Sequence, residues 1–91
     1  MKIEWSRKAV LDLVRLHDFV AVINPPKARQ IIFALNDAAL LLGTSPRMGS
    51  RLDGFGNAEV RRVIVSNYEL RYEITEDVIF VLRIWHTRED R

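Results

Sequence analysis

Apolar and polar positions follow two rhythms along this chain, and the change of rhythm divides it. From Ala9 onward apolar residues recur at steps of three and four: Ala9, Leu13, Leu16, Val20 and Ile23, widened by Val10, Val14 and Ala21, with Arg7, Arg15 and Asp18 on the other side. That spacing predicts an amphipathic helix over roughly residues 7–23. Ser6 stands where an N-cap belongs, since its hydroxyl can accept a bond from a free N–H of the first turn. Asn24-Pro25-Pro26 then stops the helix, because a residue ahead of proline is pushed out of helical conformation. Proline is also welcome at a first helical position, so the same tripeptide opens a second helix. Its stripe is Ala28, Ile31, Ile32, Leu35, Ala38, Ala39 and Leu42, with Gly43 read as the C-terminal stop. Two amphipathic helices joined this tightly form an antiparallel hairpin.

Elsewhere the period is two. Met1 to Trp5 alternates as a short strand, with Ile3 and Trp5 on one side and Lys2 and Glu4 on the other. Thr44 to Ala58 holds three of the four glycines and reads as a loop of about fifteen residues, long for a compact domain without a use for it. Three strands follow. Glu59 to Val65 is rich in β-formers, and Ser66-Asn67 makes a turn. In the next strand Tyr68, Leu70, Tyr72 and Ile74 point inward, and Glu69, Arg71, Glu73 and Thr75 outward, the pattern of a half-buried antiparallel strand. After Glu76-Asp77, "VIFVLRIW" is apolar on both sides, as expected of a central, covered strand. The expected architecture is α+β, in the order β-α-α-β-β-β. It is an antiparallel sheet with an N-terminal helical hairpin packed on one face, a single domain over residues 1–91.

Composition narrows the chemistry. With no cysteine, disulfides and thiolate metal sites are excluded. His17 and His86 lack ligand-like spacing, so no metal and no cofactor is expected. No apolar run approaches the roughly 20 residues that span a bilayer, and the start of the chain lacks the apolar core of a signal peptide. A cytoplasmic protein with no membrane partner is expected. The net charge is only +2, but from Arg47 onward every base is arginine: Arg47, Arg51, Arg61, Arg62, Arg71, Arg83, Arg88 and Arg91. Arginine's planar fork suits phosphate and carboxylate partners. The same segment holds eight acids, so surface ion pairing is the alternative use.

The last strand raises the sharpest question. Strict alternation puts Ile79, Val81, Arg83 and Trp85 on one side and Phe80, Leu82, Ile84 and His86 on the other. Arg83 cannot lie unpaired in a helix-covered core, because burying an isolated charge is costly. It must line an open face or pair with a carboxylate such as Glu59, Glu69 or Glu73. Arg61 and Arg62, being consecutive, point to opposite faces, so one of them shares a face with Arg83. His86 and Arg88 follow two apart at the strand's end, ahead of Arg91. His86 alone has a side chain suited to proton transfer near neutrality, whereas His17, mid-helix, reads as structural. A basic face with Trp85 or Tyr68 beside it suits RNA or an acidic protein. The "GFGNAEV" run enters a strand rather than a helix, so it is no nucleotide loop.

Taken in order, "IEWSRKAVLDL", "NPPKA", "LLGTSPRMGSRL", "RRVIVSNYELRYEI" and "VIFVLRIWHTRED" resemble the RelE/ParE superfamily of toxins from bacterial type II toxin–antitoxin modules, over nearly the whole chain. The resemblance implies a growth-inhibiting protein neutralised by a cognate antitoxin in a hetero-oligomer. RelE-like members cut mRNA on the ribosome, and in that reading Arg61, Arg62, Arg83, His86 and Arg88 are the catalytic candidates. The arginines would hold the scissile phosphate and stabilise its developing charge, while His86 would move protons. ParE-like members poison DNA gyrase. The loop before the second strand offers Arg47 and Arg51 and no lysine, no tyrosine follows the last strand, and "WHTRED" resembles ParE-like endings. The resemblance therefore implies the gyrase poison first, with Arg47, Arg51, Arg71 and Trp85 as partner contacts, and the mRNA endonuclease second.

Overall fold

The computed structural model describes residues 1–90. Its elements are β1 (Lys2–Trp5), α1 (Arg7–Ala21), α2 (Pro25–Leu42), β2 (Ser50–Arg51), β3 (Glu59–Val65), β4 (Tyr68–Ile74) and β5 (Val78–His86), with a 3-10 turn at Pro46–Met48. The five strands form one sheet in the order β1-β5-β4-β3-β2. β3, β4 and β5 are the expected antiparallel meander, but β1 joins β5 in parallel, so the sheet is mixed. The Thr44–Ala58 loop is more ordered than expected. It contains the 3-10 turn and the two-residue β2, which is too short to show any periodicity in sequence.

The hairpin starts as its caps dictate. Ser6 Oγ accepts the Ala9 N–H at 3.0 Å and also donates to the Leu82 carbonyl at 2.9 Å, tying the helix start to β5. Asn24 Oδ1 accepts the Lys27 N–H at 3.1 Å and starts α2. Gly43 ends α2 for a different reason from the expected left-handed cap: its φ is −61°. A Cβ there would lie 2.9 Å from the Met1 carbonyl oxygen, so the glycine lets β1 pass close to the helix end. The terminal amine donates to the Gly43 carbonyl at 2.9 Å.

The core lies between hairpin and sheet: Ala9, Leu16, Leu35, Ala39 and Leu42 from the helices meet Tyr68, Leu70, Tyr72, Ile79, Val81 and Ile84. The helical stripes are narrower than the sequence suggests. Val10 and Val14 are about half exposed and Ile23 almost fully so, while Asp12 is buried between Ala9 and Leu16. β5 departs from strict alternation. Arg71 of β4 pairs with Arg83, and Tyr72 with Val81, so Leu82 is an extra residue that changes the strand's phase. Ile79 and Val81 therefore face the helices, contrary to the expected grouping with Arg83, and Phe80 leaves the Ile84 and His86 side. Arg83 and Trp85 lie on the opposite, open face.

Candidate functional site: the open sheet face

Cross-strand register assembles the open face. Arg62 of β3, Arg71 of β4 and Arg83 of β5 stand directly opposite one another in one row, and Ile64, Glu69 and Trp85 form the next. Beneath the arginines lies Glu69, only 1 % exposed, which accepts from Arg62 at 3.3 Å and from Arg71 at 3.1 Å. The guanidinium groups of Arg71 and Arg83 lie over the Trp85 ring, 4.7 and 4.9 Å from its centroid. At these distances the ring quadrupole attracts both cations. The loop adds Phe55, whose ring is 5.8 Å from the Arg71 guanidinium carbon.

Arg83 is anchored from the other side of the sheet's edge. β1 runs opposite β5 only as far as Val81, which leaves the end of β5 with an uncovered edge. Two side chains of α1 cap it. Asp12 accepts the Ile84 N–H at 2.9 Å, and Arg15 donates to the Ile84 carbonyl at 3.3 Å. Arg83 reaches round to the same carboxylate, at 2.8 Å through Nε and 3.2 Å through its NH2 nitrogen. Its partner is thus a helix residue and none of Glu59, Glu69 or Glu73. Burial alone would push the Asp12 carboxyl up, but the bonds from Arg83, the Ile84 amide and Arg15 outweigh it and hold it below the usual carboxylate range. Donating to Asp12 in turn holds Arg83 in its charged form.

The remaining expected site residues are dispersed. Arg61 points to the helix side, where Nε bonds Glu59 at 2.8 Å and a terminal nitrogen bonds the Gly49 carbonyl at 2.7 Å. Of the two consecutive arginines it is therefore Arg62 that shares a face with Arg83. Arg47 makes a two-pronged pair with Glu59, at 3.0 and 2.9 Å. Hydrogen bonds from Arg61, then Arg47, hold the Glu59 carboxyl below its ordinary range. Arg51 is exposed on β2 opposite Arg61. Trp85 is 8 % exposed, with the guanidinium groups of Arg71 and Arg83 over its ring. His86 faces the helix side, packing edge-on against Tyr68 with ring centroids 5.2 Å apart, and its Nδ1 accepts the Arg88 N–H at 3.1 Å. Arg88 is exposed, and Arg91 lies outside the described residues.

Sequence reasoning missed Asp12 and Phe55 as parts of this face; it placed Glu69 there beside Arg71, but as a possible partner of Arg83 rather than of Arg62 and Arg71. Asp12 carried a usable signal: three residues after Ala9 and four before Leu16, it interrupts the helical stripe, and a carboxylate there demands a cationic partner. Among the described residues, no group of three or more His, Asp or Glu side chains is placed to hold a metal ion, and no helix is long and apolar enough to cross a membrane.

Comparison with known proteins gives a consistent answer. A family model described as the ParE toxin of the type II toxin–antitoxin system, parDE, matches residues 3–91. The chain is 27% identical over 86 residues to Toxin RelE2 of Caulobacter vibrioides, covering 93% of each. Among solved structures it is similar to the chromosomal ParDE TA system from P. aeruginosa, with a TM-score of 0.79 and 24% identity over 94% of this chain and 95% of that one. It is also similar to the archaeal RelE–RelB complex from Pyrococcus horikoshii OT3, with a TM-score of 0.60 and 17% identity over 98% and 97%. At these identities the structural likenesses establish the fold.

Proposed function

Because this chain belongs to the ParE toxin family of type II toxin–antitoxin systems, we propose that it arrests growth by a protein–protein contact that poisons DNA gyrase, and that a cognate antitoxin neutralises it. The observation that carries this reading over mRNA cleavage is the division of the candidate bases by the sheet. Arg62 and Arg83 are on the open face, whereas Arg61 and His86 are on the helix side. A nuclease needs a phosphate clamp and a proton-transferring group within hydrogen-bond reach of one reacting centre. Here His86 spends Nδ1 on the Arg88 amide and lies across the sheet from the arginine row. Arg61 and Arg83 are each committed to a carboxylate. A second reading, ribosome-dependent mRNA cleavage, draws on one feature, the in-register Arg62–Arg71–Arg83 row.

An antitoxin also suits the surface. Phe19, Val22 and Ile23 at the hairpin turn are 80%, 85% and 89% exposed, and Val10, Leu11, Val14, Phe33, Leu40 and Leu41 are each 45% or more exposed along the helices. That much exposed apolar surface marks a face that a partner covers.

The two readings separate on one substitution. His86→Ala should retain growth arrest on induction, with viable counts within about threefold of wild type, because contact with gyrase does not need an imidazole. An endonuclease that used His86 for proton transfer would lose about 100-fold or more in rate. Loss of arrest in a His86→Ala protein that still folds and still binds the antitoxin would reverse our preference. Pulse labelling after induction gives the independent check: DNA synthesis should fail before protein synthesis.

A further inference from the structure

Across the open face the cations form a stripe one residue deep. Arg62, Arg71 and Arg83 stand opposite one another on β3, β4 and β5, so the stripe spans two inter-strand spacings, about 10 Å. An acid borders it along β4 on each side, Glu69 two residues before Arg71 and Glu73 two residues after. Like charges directly opposite one another repel. The fold answers from beneath and from one edge, with Glu69 under Arg62 and Arg71 and Asp12 beside Arg83. The outer side of the stripe is left to solvent: the side chains of Arg62, Arg71 and Arg83 are 47%, 26% and 35% exposed over a Glu69 of 1%. Ile64 and Phe55, 52% and 40% exposed, stand beside it as apolar flanks. We propose that this stripe grips the toxin's target protein through the carboxylates of an acidic segment that also carries apolar side chains, an assignment that rests on gyrase being the target.

A guanidinium is a planar fork that can hold a carboxylate by two parallel bonds. The surroundings favour a short acidic peptide over a nucleic acid. A phosphate backbone repeats its charge along a continuous track and is bound by a matching run of bases. Here the acids Glu69 and Glu73 lie on either side of the stripe, and the next pair of charges on this face, Lys2 and Glu4 of β1, cancels itself. Asp12 further offsets Arg83 and is shared with Arg15 of α1. The positive charge is thus local, enough for a few carboxylates. Bases also need an open ring to stack on, and Trp85 has two guanidinium groups over its face. The exposed apolar surface of the helices, on the other side of the sheet, gives the antitoxin its main hold.

The test is the affinity of purified, DNA-free gyrase for the fluorescently labelled protein, measured by anisotropy beside the poisoning assay on plasmid DNA. Arg62→Ala should weaken binding about tenfold or more, as loss of one partner of a desolvated charge pair does, with antitoxin affinity changed less than about threefold. Its thermal melt shows whether the fold is intact. Glu73→Gln removes an acid from the border without changing its shape. It should act the other way and tighten binding about threefold, mainly through a faster on-rate at low salt. A wild-type protein that neither binds nor poisons gyrase would remove the gyrase reading, and this assignment with it. A wild type that binds and poisons gyrase, matched by a folded Arg62→Ala protein, would overturn the assignment alone. So would poisoning lost with affinity for DNA-free gyrase unchanged, which would give the stripe to phosphate. Antitoxin affinity that falls as far as gyrase affinity, or a Glu73→Gln protein that binds no more tightly, would overturn it as well.

Discussion

Replacing Asp12 with alanine should destabilise the fold by about 3–5 kcal/mol, the usual cost of removing one member of a buried, hydrogen-bonded charge pair. Asp12 is 4% exposed, and its carboxylate serves the Ile84 amide, Arg83 and Arg15 together. Without it the Ile84 N–H at the uncovered edge of β5 has no acceptor, and Arg83 loses the carboxylate that holds it against Trp85. For a domain of this size the melting temperature should fall by more than about 10 °C, a large share of a total stability of about 5–15 kcal/mol. Asp12→Asn should cost less, since the amide oxygen can still accept from Ile84. Thermal melts of both variants check the order. The pH dependence has a definite sign. The Asp12 carboxyl is held below its ordinary range, so its charge-dependent stabilisation is complete above the unfolded value of about 3.9 and is lost as pH falls through the lower folded value. The gap between wild type and Asp12→Asn should be constant from pH 5 to 8 and shrink below about pH 4. A gap that widened in acid would mean the carboxyl is raised by its burial.

Gly49→Ala should be the second large effect, at about 2–3 kcal/mol or more, as expected when a methyl is forced into filled space. The added Cβ would lie 2.4 Å from the Arg62 carbonyl oxygen and 2.7 Å from the Tyr72 hydroxyl. The first contact is backbone of β3, which cannot swing away as a side-chain tip can. The second is a clamp: Tyr72 Oη accepts the Gly49 N–H at 3.0 Å and donates to the Pro46 carbonyl at 2.7 Å, which fixes the loop carrying Arg47 against the sheet. Denaturant melts of Gly49→Ala, Tyr72→Phe and the double variant should be non-additive, because both single changes break the same clamp. Fully additive losses would mean that the alanine is accommodated without disturbing Tyr72.

What the sequence made readable follows from what repeats in it. The two helices, the three long strands and the turn at Asn24-Pro25-Pro26 rest on periods and local caps, and these survive into the structure. The face shared by Arg62, Arg71 and Arg83 was only half readable. Tyr68 to Ile74 alternates cleanly and places Arg71 outward, but the Leu82 bulge shifts the phase of β5, and no local residue type announces it. The pairing of Arg83 with Asp12 joins positions 71 residues apart. It depends on how far β1 extends along β5, which no single segment encodes. The same holds for His86, whose sequence position near Arg83 and Arg88 suggested one site, whereas strand geometry turns it toward Tyr68 and away from the arginine row.

Action on gyrase by contact, as proposed above, and cleavage of mRNA by chemistry differ in what purified gyrase does in the toxin's presence. The most direct measurement is a supercoiling and cleavage assay with purified DNA gyrase, plasmid DNA and this protein, with and without its antitoxin. Double-strand cleavage complexes should accumulate and supercoiling should be lost, both effects abolished by the antitoxin and both retained by His86→Ala. Unimpaired gyrase in the presence of a protein that still arrests growth, together with mRNA cut during translation, would overturn the gyrase target in favour of the ribosome.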